Sequence, residues 1–233
     1  PPLTDLPGHL GRYAVQLDAG RSSLLANHYA FDWHWIGNLG VDILVQLIGP
    51  LLGVEVATKA IVVAIPMLTA AGFLATAREV HGRIPPTAIF ALPLAYNYAF
   101  NWGFVNFALS MALAFLAFAL WLRMARAGSL RLRAGLFAAL SLALWTAHIF
   151  GWAMLCVLAF SAELVRQWDG GRRWFAVPIM AGVTCLPLAL PLLPMVMTFG
   201  EGGAGGQPFG HTWFNWPLKE RWAVSMRDRW EWL

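Results

Sequence analysis

The sequence predicts an all-α, polytopic membrane protein in which long apolar helices alternate with short basic turns, supplemented by interfacial and broken or re-entrant helices. Three observations carry this. Hydrophobic residues fill 59% of the 233 positions and charged residues only 12%, with a mean hydropathy of +0.59; a soluble domain carries about a quarter charged residues. The few charges are bunched, which leaves uncharged runs long enough to cross a bilayer. Those runs lack the alternation of a membrane-spanning strand.

The net charge of +4 and pI near 9.5 do not make a nucleic-acid footprint. The arginines sit in short turns between apolar runs, as membrane topology requires, so no nucleic-acid partner is expected. Cys156 and Cys185 both lie inside apolar segments and offer neither a disulfide framework nor a metal-binding spacing. The chain starts at Pro1 without a signal-peptide pattern and stops at Leu233, and it reads as a piece of a longer protein that lacks at least one upstream membrane helix.

Residues 1–36 are too polar to span and hold Asp5, His9, Asp18, His28, Asp32 and His34. Residues 37–53 are apolar but interrupted by Asp42, Gln46 and Pro50, which suits an interfacial or re-entrant helix. Residues 60–77 carry no charge and are long enough to cross, with Pro66 inside. The uncharged stretch 84–122 has 39 residues. As one helix it would rise about 58 Å, twice the hydrocarbon thickness, so it must fold back. The polar, aromatic residues 96–103 mark the turning point. Pro85 and Pro86 suit the first turn of the earlier helix, and 103–122 is the cleanest span. A further run over 134–162 is free of Asp, Glu, Lys and Arg, and another covers 174–199. The expected organisation is an outer-face segment 1–59 with interfacial helices, a helical bundle 60–199, and a glycine-rich linker with an aromatic tail over 200–233.

The turns 78–83, 123–133 and 163–173 hold nine of the sixteen Lys and Arg residues. If all three are cytoplasmic, 84–122 crosses twice and 134–162 enters and returns. Two halves of 134–162 would rise only about 21 Å each, so they are expected as tilted half-helices meeting at a break near Trp145–Trp152. The alternative is one continuous tilted helix. With the broken pair, Asp5, His9, Asp18, Asp32, Asn97, Asn101, Asn106, His148, Glu201 and His211 gather at or toward one face, and the cytoplasmic turns keep mainly arginines.

Local patterns then pick out candidates. On a helix Asp5 and His9 share a face, with Arg12 one turn on; a carboxylate in such company suits a general base or a cation ligand. The competing reading is an aspartate that caps an interfacial helix at Pro7. Asn97, Asn101 and Asn106 stand with Tyr96, Tyr98 and Trp102, a set suited to sugar hydroxyls and polar headgroups. The same amides could instead satisfy backbone groups at a turn. His148, ionisable within an apolar run, is a functional candidate or a hydrogen-bonding residue at the break. Asp42 is either solvated or turned to a cavity. Gly202–Gly206 follows no strand and is no phosphate loop.

The order of these features, with Asp5-Leu6-Pro7-Gly8-His9-Leu10-Gly11-Arg12 near the start, the basic turn Arg78–Arg83, the span closing in Trp121-Leu122-Arg123 and the break around Thr146-Ala147-His148, resembles the amino-terminal membrane module of GT-C type glycosyltransferases. The resemblance covers roughly residues 1–199 and rests on layout more than on sharp motifs. It implies an inverting transfer of a sugar from a polyprenyl-phosphate donor, at the outer face of a bacterial inner membrane. It places the catalytic role on Asp5, as base or as partner of a divalent cation such as Mg or Mn. It implies a second acidic residue in the outer segment, for which Asp18 or Asp32 could serve. The hypothesis built on it gives substrate contacts to His9, Arg12, Asp32, Asn97, Asn101 and His148, with membrane lipid and the lipid-linked donor as partners. Two other classes fit the composition: a transporter or lipid flippase, and a non-enzymatic membrane scaffold. Against a transporter, only His148 offers an ionisable acid or base within the apolar runs between Ala60 and Phe199, and no repeat is visible.

Overall fold

The computed structural model describes residues 3–197, and the linker and tail over 200–233 lie outside the described residues. The described residues are mostly helical and contain no strand. The order is α1 (Leu6–Asp18), α2 (Ser23–Ala26), α3 (Gly40–Leu52), α4 (Val54–His81), a 3-10 helix (Pro86–Tyr96), α5 (Tyr98–Trp102), α6 (Val105–Ala127), α7 (Leu130–Ala147), α8 (Ile149–Asp169), α9 (Ala176–Cys185) and a short 3-10 turn (Leu186–Ala189). The apolar helix α10 (Leu192–Met197) belongs to a second unit beginning at Leu192. Four helices, α4, α6, α7 and α8, are long and apolar enough to cross a membrane. The chain is an all-α membrane protein, as composition requires.

α4 begins at Val54, earlier than the charge pattern suggested, because Glu55 and Lys59 are accommodated as exposed side chains in its first turns. α4 and α6 run parallel. Ile61 and Ile65 share one core cluster with Val105 and Leu109, Gly72 abuts Ala112 and Phe115, and Arg126 binds Glu79. Two parallel helices in succession need a return segment, and residues 83–104 supply it. That return is a 3-10 helix over half of its length, where the sequence predicts an α-helix. Pro93 removes one backbone donor and its ring would clash with the preceding turn of an α-helix. At about 2.0 Å per residue the 3-10 form also covers more distance than α would.

α7 and α8 form the returning pair, but not as short half-helices. They hold 18 and 21 residues, because each continues through charged positions. Glu163 of α8, almost fully buried, accepts from Arg133 (3.2 Å) and from the Trp121 indole (2.9 Å), and is bound by Arg166 as well. The Arg133 guanidinium lies 4.4 Å from the Trp121 ring centroid. Pairing the charges lets the helices run past the uncharged window. The continuous-helix alternative fails at His148, whose backbone is extended (φ −169°, ψ 135°).

With this topology all three basic turns fall at one end of the bundle. α6 joins its two core clusters: Tyr13, Val41, Val45 and Ile65 on one side, Phe118, Phe137, Leu155 and Leu188 on the other. It is the most buried of the four long helices.

Candidate functional site at the end opposite the basic turns

The site is built on α1. Pro7 at the start of the helix and a left-handed residue at its end, Ala19, bound a 13-residue amphipathic segment. Its apolar side meets α3 and α4, and Tyr13 and Gln16 are buried. The helix start is fixed from below: the Asp5 backbone N–H donates to the Trp102 carbonyl at 2.9 Å. Gly103 lies so close that a Cβ there would stand 2.9 Å from the Asp5 nitrogen, and its φ of +93° also favours glycine. Residues 97–103 thus serve as a platform for Asp5.

Asp5 occupies the N-cap position, yet its side chain makes no capping hydrogen bond and is exposed to solvent. The capping reading therefore holds for position and not for bonding. His9, one turn on, is half-buried and stacks on Tyr13, with centroids 6.0 Å apart. Burial, followed by the nearby Arg12 charge, outweighs the carboxylates of Asp42 and Asp5 and holds the His9 imidazole below its usual pKa. It is neutral at pH 7 and can accept a proton or a hydrogen bond.

Asp42 is the residue whose role the sequence left open. Its side chain is fully buried, and its carboxylate is bound by Arg12. The second carboxylate oxygen accepts from the Asn106 amide at 3.0 Å, and its backbone carbonyl from Gln16 at 2.9 Å. Asn106 also accepts from the Val41 N–H (2.6 Å) and donates to the Asn38 carbonyl (2.9 Å), while Gln16 donates to Gln46 (3.0 Å). These bonds clamp α1 to α3 and α6. Burial disfavours the Arg12 charge, but the hydrogen bond and the charge of Asp42 prevail and raise its pKa. The Tyr13 side chain is buried beside Arg12, and burial, with Asp42 behind it, keeps its hydroxyl un-ionised. The signal for Asp42 was present in the sequence, a carboxylate within an apolar run; its partner thirty positions earlier was not.

The other candidates are spread more widely. Asn97 caps α5, accepting from Phe100 N–H (3.1 Å) and donating to the Leu94 carbonyl (3.2 Å), and Asn101 donates to the Tyr96 carbonyl (2.8 Å). Both amides are engaged by the turn that carries the Asp5 platform. Asp32 is exposed in the segment between α2 and α3 and faces only His34, at 3.3 Å. His148 caps α8, its Nδ1 accepting from Phe150 N–H at 3.2 Å, and it packs edge-on against Phe107, the neighbour of Asn106. The break is held from outside: Ile149 N–H donates to Gly37, Leu39 N–H to Thr146, and the Trp35 indole to the Thr146 hydroxyl.

A divalent cation of the Mg or Mn kind needs several hard oxygen ligands. Asp42 has its oxygens taken by Arg12 and Asn106, and no group of three His, Cys, Asp or Glu side chains able to hold a metal exists among the described residues. Among the described residues the donor set does not fit such an ion.

No protein-family model, curated protein or solved structure matches this chain.

Proposed function

We propose that the chain is the amino-terminal part of an inverting glycosyltransferase that takes its sugar from a polyprenyl-phosphate donor at the outer, periplasmic face of a bacterial inner membrane. The observation that carries this reading is the Asp5 carboxylate: exposed and unbonded, on a helix clamped to the end of an apolar bundle opposite its basic turns. A free carboxylate on a rigid support is the equipment of a general base.

In the reaction, Asp5 takes the proton of an acceptor hydroxyl. The acceptor oxygen forms its bond to the anomeric carbon from the side opposite the phosphate. The anomeric C–O bond to phosphate breaks and its electron pair leaves with the polyprenyl phosphate, so the configuration inverts. The proton then passes from Asp5 to water. In this reading neutral His9 and the remaining N–H groups of Arg12 meet sugar or phosphate, and the isoprenoid tail lies along the apolar helices.

The test is sugar transfer from a radiolabelled polyprenyl-phosphate sugar in membranes holding the full-length protein. Asp5→Asn, which keeps shape and removes the base, should lower the rate by about 10²–10⁴-fold. Full transfer by this variant would sink the assignment. The orientation has its own test: with Cys156 and Cys185 replaced, a cysteine at Ser22 should react with an impermeant thiol reagent on intact cells, and cysteines at Ser129 and Gly170 should not.

A further inference from the structure

Where α1 meets α4, a cavity of about 530 Å³ is walled by Leu6, Leu10, Val62, Val63, Pro66 and Phe100. Its size falls in the range of ligand pockets. Besides Tyr96, three polar groups break its apolar lining, all on the first turns of α4: Glu55, Thr58 and Lys59. Thr58 is 1% exposed, and its hydroxyl has no hydrogen-bond partner. By contrast, Thr69 and Thr184 return their hydroxyls to the carbonyls of Ile65 and Met180 at 2.9 and 2.8 Å. A buried hydroxyl left open beside a cavity points to a missing partner. Glu55 and Lys59 stand one helical turn apart at the exposed rim, and neither is engaged in an ion pair.

Depth in the membrane adds a second constraint. The 28 residues of α4 rise about 42 Å, the thickness of a bilayer with its headgroups. Set across a bilayer, α4 would have its first turns at headgroup level, and Val62, Val63 and Pro66 at the level of acyl chains. A ligand here has one polar, doubly charged end and one apolar chain.

We propose that this cavity binds a zwitterionic, amine-bearing phospholipid. Its phosphate lies on the Lys59 ammonium and its amine on the Glu55 carboxylate. A phosphate or ester oxygen accepts from Thr58, and one acyl chain follows Leu10, Val62, Val63 and Pro66. Glu55 selects against lipids with anionic charge alone, including a phosphate monoester such as polyprenyl phosphate, because it repels them while a zwitterion satisfies both rim charges. The site does not depend on the glycosyltransferase reading.

The test is native mass spectrometry of the detergent-purified full-length protein, titrated with phosphatidylethanolamine, phosphatidylglycerol and undecaprenyl phosphate. Phosphatidylethanolamine should be retained about tenfold more tightly than the other two, the ratio expected of one added charge-assisted contact. Glu55→Gln should erase that preference. Lys59→Gln should weaken both phospholipids about tenfold. Thr58→Val keeps the shape and should weaken retention several-fold. Should Thr58→Val fail to fold, Val63→Trp at the exposed rim should block retention by filling the cavity. Equal retention of all three lipids, a preference for undecaprenyl phosphate, or binding indifferent to Glu55 and Lys59 would overturn the proposal.

Discussion

The guanidinium of Arg12 on α1 is bound to the carboxylate of Asp42 on α3, and Asp42 is fully buried while Arg12 remains half-exposed. This pair ties the helix that carries Asp5 and His9 to the helical bundle. A buried carboxylate stripped of its cation bears the full cost of its desolvation. Arg12→Ala should therefore destabilise the protein by about 3 kcal/mol, at the low end for buried pairs because water reaches Arg12. The double variant Arg12→Met/Asp42→Leu should recover most of that loss. Thermal melting in detergent checks both, and equal melting of Arg12→Ala and the parent would refute the clamp.

His9 gives stability a pH dependence. Its folded pKa lies below the unfolded value of 6.5, mainly through burial. Between those two values the unfolded chain binds a proton that the folded one does not, so the stabilisation is present above pH 6.5 and is lost as pH falls toward the folded pKa. Melting temperature should fall on acidification from pH 7 to 5, and His9→Gln should flatten that fall. An unchanged slope in the variant would show that His9 is not its source.

Glu163 anchors two arginines and an indole where α6, α7 and α8 meet. Arg133 has only 3% of its side chain exposed, so Glu163→Ala strands a buried cation. The expected cost is about 3–5 kcal/mol, measured by chemical unfolding in micelles. Arg133→Met/Glu163→Leu, which removes both charges, should be far milder. If the two variants unfold alike, packing and not charge is what the cluster supplies.

Two glycines should respond in opposite ways. A Cβ on Gly151 would stand 2.6 Å from the Ser110 Cβ and 2.7 Å from its backbone carbon, so Gly151→Ala must force α6 and α8 apart. About 1–3 kcal/mol should be lost. A Cβ on Gly135, inside α7, meets nothing within 4 Å. Gly135→Ala should leave stability unchanged or raise it by about 0.5–1 kcal/mol. Comparable losses from both would contradict the helix packing described.

Much of the architecture is written in local chemistry. Uncharged length located the four long apolar helices, arginine placement set which turns share an end, and Trp145-Thr146-Ala147-His148 announced the break in the returning pair. The lengths of α7 and α8 were not legible, because Arg133 and Glu163 neutralise each other inside the bundle and so end neither helix. Nor was the 3-10 return over Pro86–Tyr96, where apolar composition suits either helix type and the distance between the ends of α4 and α6 decides. At the site, the helical spacing of Asp5, His9 and Arg12 was visible, since neighbours one turn apart follow from 3.6 residues per turn. Sequence alone determined a membrane-embedded helical chain and the facing of its candidates on α1. Only the tertiary structure decided that Asp42 and Asn106 hold that helix, that Asn97 and Asn101 shape the platform beneath Asp5, and that Thr58 opens onto a cavity. Hydropathy and periodicity are properties of neighbours along the chain, whereas a buried charge or hydroxyl takes its role from whatever distant residue the fold sets beside it.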